Sequence, residues 1–201
     1  MIRLEHWYFS YGEQVVFDDL NATILAGLNL VTGNEGSGKT TLLRLLAKQL
    51  LPQGGALLCT NDYSVYWVDP KSDTFDQISA VDYFQSMAKN HPDFDQVMAS
   101  DIAVELGLEP HQRKPMYMLS TGSKRKVWIA AGFATNSQLT LFDEPFAALD
   151  GPSTRVVADL LLEASRDESR AWLIADYQAP SSATGIRLAS VIDLDKKHSK
   201  L

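Results

Sequence analysis

The chain has 201 residues, 45% hydrophobic and 21% charged, the proportions of a soluble globular chain long enough to bury one core. Its single cysteine, Cys59, excludes an intrachain disulfide framework and a cysteine-built zinc site, and fits a reducing compartment. Its 18 basic and 25 acidic residues give a formal charge of −7, which argues against sequence-independent nucleic-acid binding, since that affinity comes from cations on phosphates.

Residues 2–9 mix apolar and polar side chains, rich in aromatics, and predict a strand. Tyr11-Gly12-Glu13 predicts a turn and residues 15–17 a short second strand. Residues 27–33, apolar and closed by a glycine, predict a buried strand. The leucines at 42, 43, 45, 46 and 50 repeat at helical spacing, so a helix is expected over 38–51, stopped by Pro52 and Gly54-Gly55. Residues 56–59 and 65–68 predict two strands around a Thr60-Asn61-Asp62 turn. From 78 to about 119 the pattern is mostly helical, with breaks at Asn90-His91-Pro92, Glu109-Pro110 and Lys114-Pro115. A helix over 120–134, a core strand over 139–142, a helix over 153–165 and a strand over 171–175 follow. Residues 191–194 predict a last strand before the basic tail Lys196-Lys197-His198-Ser199-Lys200.

Strands alternating with helices predict an α/β fold whose sheet is covered on both faces and is at least partly parallel. No stretch approaches the roughly 18 apolar residues that cross a bilayer. The start, Met1-Ile2-Arg3-Leu4-Glu5-His6, lacks the basic-then-apolar order of a signal peptide. The expectation is a cytosolic chain, or one that reaches a membrane only through another protein.

Gly33-Asn34-Glu35-Gly36-Ser37-Gly38-Lys39-Thr40 matches G-x-x-x-x-G-K-[ST], with an apolar strand before it and a helix after it. Glycines let the backbone wrap so that successive N–H groups from Asn34 to Thr40 converge on a phosphate. The helix that begins here aims its positive dipole end at the same anion. Lys39 supplies a mobile charge for the β- and γ-phosphates, and the Thr40 hydroxyl ligates Mg²⁺. A chance match would occur in roughly one random chain in a hundred of this length, before the strand–loop–helix setting is required. Asn34, Glu35, Gly36, Ser37, Gly38, Lys39, Thr40 and the next residue, Thr41, are therefore the expected nucleotide-binding set.

Leu139-Thr140-Leu141-Phe142-Asp143-Glu144-Pro145 places two carboxylates at the end of a buried strand. Beside a phosphate loop, an acid there holds Mg²⁺ and its neighbour orients the attacking water. Leu119-Ser120-Thr121-Gly122-Ser123-Lys124-Arg125-Lys126 lies just upstream, and Phe146-Ala147-Ala148-Leu149-Asp150 follows. Together with the phosphate loop, these stretches resemble the nucleotide-binding domain of an ABC ATPase, from the Tyr11 region to Asp176.

The resemblance implies a mostly parallel core sheet with an N-terminal antiparallel β part. It also implies one domain over 1–201, with an inserted helical subdomain at about 78–135. Tyr11 would stack on adenine. Asp143 would hold the metal, Glu144 act as general base, and Asp150 belong to the loop that communicates between subunits. In this family two domains pair head to tail, so Ser120 and Gly122 would reach the γ-phosphate of the opposite protomer. A Ser-capped helix N-terminus offers N–H donors suited to that anion. Thr121 stands where the family usually has glycine.

Two family residues are missing. Residues 66–71 fall where the family has a strand ending in a glutamine that touches Mg²⁺, and Asp69 is the expected replacement. Residues 171–177 align with the strand that ends in the histidine contacting the γ-phosphate; here Asp176 stands in its place, with Tyr177 next. None of His6, His91, His111 and His198 lies near that position in the chain. A unit charge pair at about 4 Å interacts by a few kcal/mol at an effective dielectric near 20. A carboxylate facing phosphate would thus slow turnover by several factors of ten.

The expected function is that of an ATP-binding subunit. It would bind ATP and Mg²⁺ at a homodimeric or heterodimeric interface and drive a separate membrane permease from the cytoplasmic face. The alternatives are a hydrolysis-impaired, nucleotide-gated binding partner and a non-transport cytosolic ABC ATPase. No direct nucleic-acid partner is expected. The chain ends soon after its last expected strand, so no C-terminal regulatory domain is expected.

Overall fold

The computed structural model describes residues 1–59, 62–177 and 185–196. Thr60 and Asn61 of the expected turn, and the tail from Lys197 onward with His198, lie outside the described residues. Strand β1 (Ile2–Tyr11) turns at Gly12-Glu13 into β2 (Gln14–Ile24), an antiparallel pair. The second strand is far longer than the expected 15–17. Its buried side chains, Phe17, Leu20 and Ile24, are not spaced by two because the pair is interrupted by register shifts, with Asp19 at φ 71° and His6 at φ 53°. The bulges hide the period of two that marks a strand.

Strand β3 (Gly27–Thr32) is buried almost throughout and leads through residues 33–38 into α1 (Lys39–Leu46). That helix ends before the expected Leu51, because Lys48 turns left-handed at φ 59° and sends its ammonium to Asp62 and the Tyr63 carbonyl. Gly54 and Gly55, expected to stop a helix, instead open strand β4 (Gly54–Cys59), which pairs antiparallel with β1. Gly55 sits at φ 89°, and a Cβ there would stand 2.4 Å from the His6 carbonyl oxygen at the register shift in β1. The three strands form a sheet in the order β2–β1–β4.

A two-residue strand, β5 (Val65–Tyr66), shorter than the expected 65–68, precedes a helical section. Helix α2 (Ala80–Asn90) starts with a capping box between Ser79 and Asp82, and α3 (Gln96–Glu105) with an Asp95 cap. Two single 3₁₀ turns, Glu109–His111 and Met116–Met118, lead to α4 (Thr121–Ala134). Strand β6 (Leu139–Asp143), helix α5 (Gly151–Ala164), strand β7 (Ala171–Ala175) and strand β8 (Leu188–Asp193) complete the chain order. No helix among the described residues is long and apolar enough to cross a membrane.

The second sheet has the order β5–β6–β7–β3–β8 and is parallel throughout. Its strands alternate between two cores. Leu28, Leu30, Phe142, Trp172 and Ile174 face α4, α5 and the helical section. Val31, Leu139, Leu141, Leu173 and Ala175 face α1 and the antiparallel sheet. Phe133 of α4 stacks on Trp172 at 4.7 Å and on Phe142 at 5.5 Å between ring centroids. Gly132 makes that approach possible, since a Cβ there would lie 2.6 Å from the Phe142 ring. These contacts fix α4 against the strands whose ends carry the site.

Candidate functional site

In the parallel register, Val31 lies opposite Ala175, and Ala175 opposite Asp143. The carboxyl ends of β3, β7 and β6 therefore finish on one edge of the sheet, the place where open α/β sheets bind ligands. Three segments leave that edge: the loop 33–38, the Asp143-Glu144 pair and Asp176-Tyr177.

The loop after β3 is shaped by its neighbours. Gly38, at φ 100°, caps α1, and a Cβ there would stand 2.6 Å from Val16 Cγ1 and 3.0 Å from the Phe17 ring. The backbone thus passes directly over β2, which only glycine permits. Asn34, Glu35 and Gly36 are exposed. The Asn34 N–H donates to both carboxylate oxygens of Asp195, at 3.1 and 3.0 Å, so an anion already meets the loop backbone here. Lys39 is buried and donates to the carbonyls of Gly33 at 2.5 Å and Asn34 at 3.1 Å. The Ser37 hydroxyl is buried without a partner among the described residues. Thr41 is buried on α1.

Thr40 Oγ1 donates to Asp143 Oδ2 at 2.7 Å, joining two segments 103 residues apart. Burial pushes the Asp143 carboxyl above the usual range, and the charges of Glu144 and Asp69 push the same way, against the Thr40 bond and Arg125. Glu144 follows in a left-handed conformation, φ 48°, its N–H bonded to the Ala175 carbonyl at 2.8 Å. Asp176 is half-buried and its N–H bonds the Val31 carbonyl at 3.0 Å. Burial raises its carboxyl too, with Glu144 adding; the Tyr177 N–H, Lys39 and Arg125 pull the other way.

Two residues with no role assigned from sequence stand in this cluster. Arg125 of α4 is 91% buried, donates from Nη1 to the Ala147 carbonyl at 2.6 Å, and has no partner for Nε among the described residues. Burial lowers its guanidinium, opposed by the charges of Glu144, Asp143 and Asp176. Tyr177 lays its ring over Lys39, with Nζ 4.2 Å from the ring centroid. Its phenol is raised first by Glu144, then by burial and by Glu35, Asp176 and Asp143. Only contacts made through space mark either residue.

Asp69 lies close enough to Asp143 for its charge to act on that carboxyl, and it has two further partners. Its Oδ2 pairs with Arg44 of α1 at 2.6 Å and its Oδ1 accepts the Lys71 N–H at 2.9 Å. The Arg44 guanidinium is raised mainly by that bond to Asp69, with the Tyr11 hydroxyl also contributing. Tyr11 is 45% exposed and packs edge-to-face on Phe9 at 4.9 Å. Arg44, one turn along the helix from Thr40, thus pairs with Asp69 and lies near the Tyr11 hydroxyl.

The stretch around Ser120 contacts the 144–150 loop. Ser120 caps α4 by accepting the Ser123 N–H at 3.1 Å, and Ser120 and Thr121 are exposed. Gly122 is buried against the Ala148 carbonyl, which would stand 2.1 Å from a Cβ. Ala148 itself is left-handed at φ 60°. Asp150 caps α5 through the Ser153 N–H at 2.8 Å and pairs with Lys126 at 2.7 Å, which holds its carboxyl well below the ordinary range. The structure therefore brings Lys39, Thr40, Asp143, Glu144 and Asp176 together. It places Asp69 with Arg44, and Ser120 and Gly122 at the start of a neighbouring helix.

Comparison with known proteins gives the family and the fold. The family model described as "ABC transporter" matches residues 17–147. An uncharacterized ABC transporter ATP-binding protein of Haemophilus influenzae is 32% identical over 188 residues, covering 89% of this chain and 77% of that protein. The taurine import ATP-binding protein TauB of Escherichia coli O157:H7 is 28% identical over 196 residues, 88% of this chain and 73% of its own length. In fold, a putative ABC transporter ATP-binding protein from Pyrococcus furiosus superposes with a TM-score of 0.78 at 21% identity, over 97% of this chain and 98% of that one. The dimeric structure of MJ0796, a bacterial ABC transporter cassette, gives 0.77 at 17% identity, over 96% and 95%. The chain belongs to the ABC transporter family, as one of its ATP-binding proteins.

Proposed function

We propose that this chain binds MgATP between the 33–41 loop and the ends of β6 and β7, and hydrolyses it to drive a separate membrane permease. The observation that carries this reading is the 2.7 Å contact between Thr40 and Asp143, with Glu144 next in the chain. The phosphates would lie on the loop amides and Lys39, with Tyr11 against the adenine. Glu144 would take the proton of the attacking water.

The donor set suits Mg²⁺. Thr40 and Asp143 offer hard oxygens side by side, and the half-buried Asp143 carboxylate makes no ion pair among the described residues, Arg125 acting on it only as a nearby charge. Among the described residues no cluster of three or more His, Cys, Asp or Glu could hold a metal alone. An ion here would complete its shell from phosphate oxygens and water, as Mg²⁺ at nucleotide sites does. Bound, it would neutralise charge on the phosphates. Asp69, engaged by Arg44 and Lys71, would act as an anchor of its own loop.

The chain would work as one domain whose helical part, about 78–135, presents Ser120 and Gly122 to the nucleotide of a second cassette, identical or homologous. It would sit at the cytoplasmic face of the membrane through the permease. The test is MgATP hydrolysis by the purified chain beside Glu144→Gln, with oligomeric state followed in ATP. Turnover lost in the variant, together with an ATP-trapped dimer, is the expected result. Absence of nucleotide binding would refute the reading. One observation favours a slower version of the same machine: Asp176, half-buried beside Glu144, puts a second carboxylate where the γ-phosphate would lie. In that version the chain clamps on ATP and turns over well only with a better-equipped partner cassette.

A further inference from the structure

Asp176 leaves the strand end without a neutral hydrogen-bond donor, because an ionised carboxylate only accepts. The next residue does carry one. Tyr177 holds its ring 4.2 Å from Nζ of Lys39, the cation that serves the β- and γ-phosphates. A phosphate bound to Lys39 would therefore lie close to this ring. The residue is 55% exposed and its hydroxyl has no hydrogen-bond partner among the described residues. Among the described residues this large aromatic side chain serves neither the core nor a hydrogen bond, and it is held by a cation–π contact with the loop lysine.

We propose that Tyr177 reads the terminal phosphate, its hydroxyl donating a hydrogen bond to a γ-phosphate oxygen while its ring stays on Lys39. The inference rests on the reading of residues 33–41 as a triphosphate site, and adds to it the residue that distinguishes ATP from ADP. The electrostatics agree: the acids around the ring disfavour the phenolate, so the hydroxyl remains a donor. The Tyr177 N–H also bonds Asp176 Oδ1 at 2.7 Å, which ties the orientation of the two residues together. One side chain brings the negative charge to the phosphate pocket, and the other offers the proton donor.

The experiment is equilibrium binding of ADP and of a non-hydrolysable ATP analogue, with magnesium, to the full chain and to Tyr177→Phe, with steady-state hydrolysis alongside. The phenylalanine keeps the ring over Lys39 and removes one hydroxyl from an exposed position, so the melting temperature stays unchanged. ADP affinity should stay within about twofold, while analogue affinity and kcat/KM for ATP fall about tenfold or more, the effect of losing one bond to a charged acceptor. Unchanged analogue affinity and turnover in Tyr177→Phe would overturn the proposal. So would a Tyr177→Ala variant that binds the analogue more tightly and turns over faster, since the ring would then be an obstruction. If the wild-type chain binds neither nucleotide, the triphosphate site itself is refuted and Tyr177 with it.

Discussion

Replacing Asp176 by asparagine isolates one charge while keeping its contacts, because an amide oxygen still accepts the Tyr177 N–H and the backbone bond to Val31 is untouched. Without nucleotide, the carboxylate is balanced by Lys39 and Arg125 against Glu144. A bound triphosphate takes Lys39 for itself and adds its own negative charge. At about 5 Å and an effective dielectric near 20, a unit of that repulsion amounts to about 3 kcal/mol. Asp176 is only half-buried, so screening reduces this to about 1.5 kcal/mol, or about tenfold in rate. The repulsion acts on bound ATP as well as on the transition state, so the gain is read in kcat/KM. Asp176→Asn should therefore raise kcat/KM about tenfold at neutral pH, and Asp176→His should do so at least as well. The pH dependence gives a second check. Asp176 has a raised carboxyl pKa, so on acidification it protonates before ordinary carboxylates and its charge is lost. The ratio of variant to wild type should then fall toward one as the pH drops through that raised value. A variant no faster than wild type, or a ratio that stays flat with pH, would refute the reasoning.

Gly122→Ala would set a Cβ 2.1 Å from the Ala148 oxygen. Overpacking of about 1–3 kcal/mol should lower the melting temperature by about 3–10 °C in the nucleotide-free chain, and an unchanged melt would deny that contact its role. Asp143→Asn removes a charge that burial and two neighbouring acids disfavour. It should stabilise the nucleotide-free chain by about 1 kcal/mol at neutral pH while abolishing magnesium-dependent nucleotide binding. The carboxyl pKa is raised in the folded state, so that stability gap should close on acidification, which thermal melts at several pH values would show. Lys126→Met acts in the opposite sense on Asp150, whose carboxyl is depressed mainly by the lysine. The stability that Lys126 provides is present above the ordinary carboxylate pKa and is lost as pH falls through the depressed one. The melting gap between wild type and this variant should therefore be full at neutral pH and shrink in acid.

The parts of this molecule that were legible in the sequence are contiguous in it. The 33–40 loop, the Asp143-Glu144 pair and the 119–126 stretch each carry their residues within a few positions, set between elements whose periodicity is plain. What escaped the sequence depends on contacts across the fold. The length of β2 was hidden because bulges at His6 and Asp19 break its alternation. The ion pair between Asp69 and Arg44, 25 residues away, carries no local mark. Tyr177 reaches Lys39 from the other end of the chain, and nothing local distinguishes it from the six other tyrosines.

The loop between β6 and α5 shows why the 122–126 residues matter within one chain as well as toward a second. Glu144 and Ala148 both hold left-handed backbones, at φ 48° and 60°, a strain on the order of 1–3 kcal/mol each for residues with a Cβ. Four contacts hold that loop in place: Glu144 N–H on the Ala175 carbonyl, Arg125 on the Ala147 carbonyl, Gly122 against the Ala148 carbonyl, and Lys126 on Asp150. Three of the four come from α4, which Phe133 and Gly132 in turn fix to Trp172 and Phe142. The backbone that aims Glu144 is therefore set by the same helix whose first turn carries Ser120 and Gly122. A glycine at 122 and cations at 125 and 126 are required by that packing in the single chain, before any second cassette is brought to it.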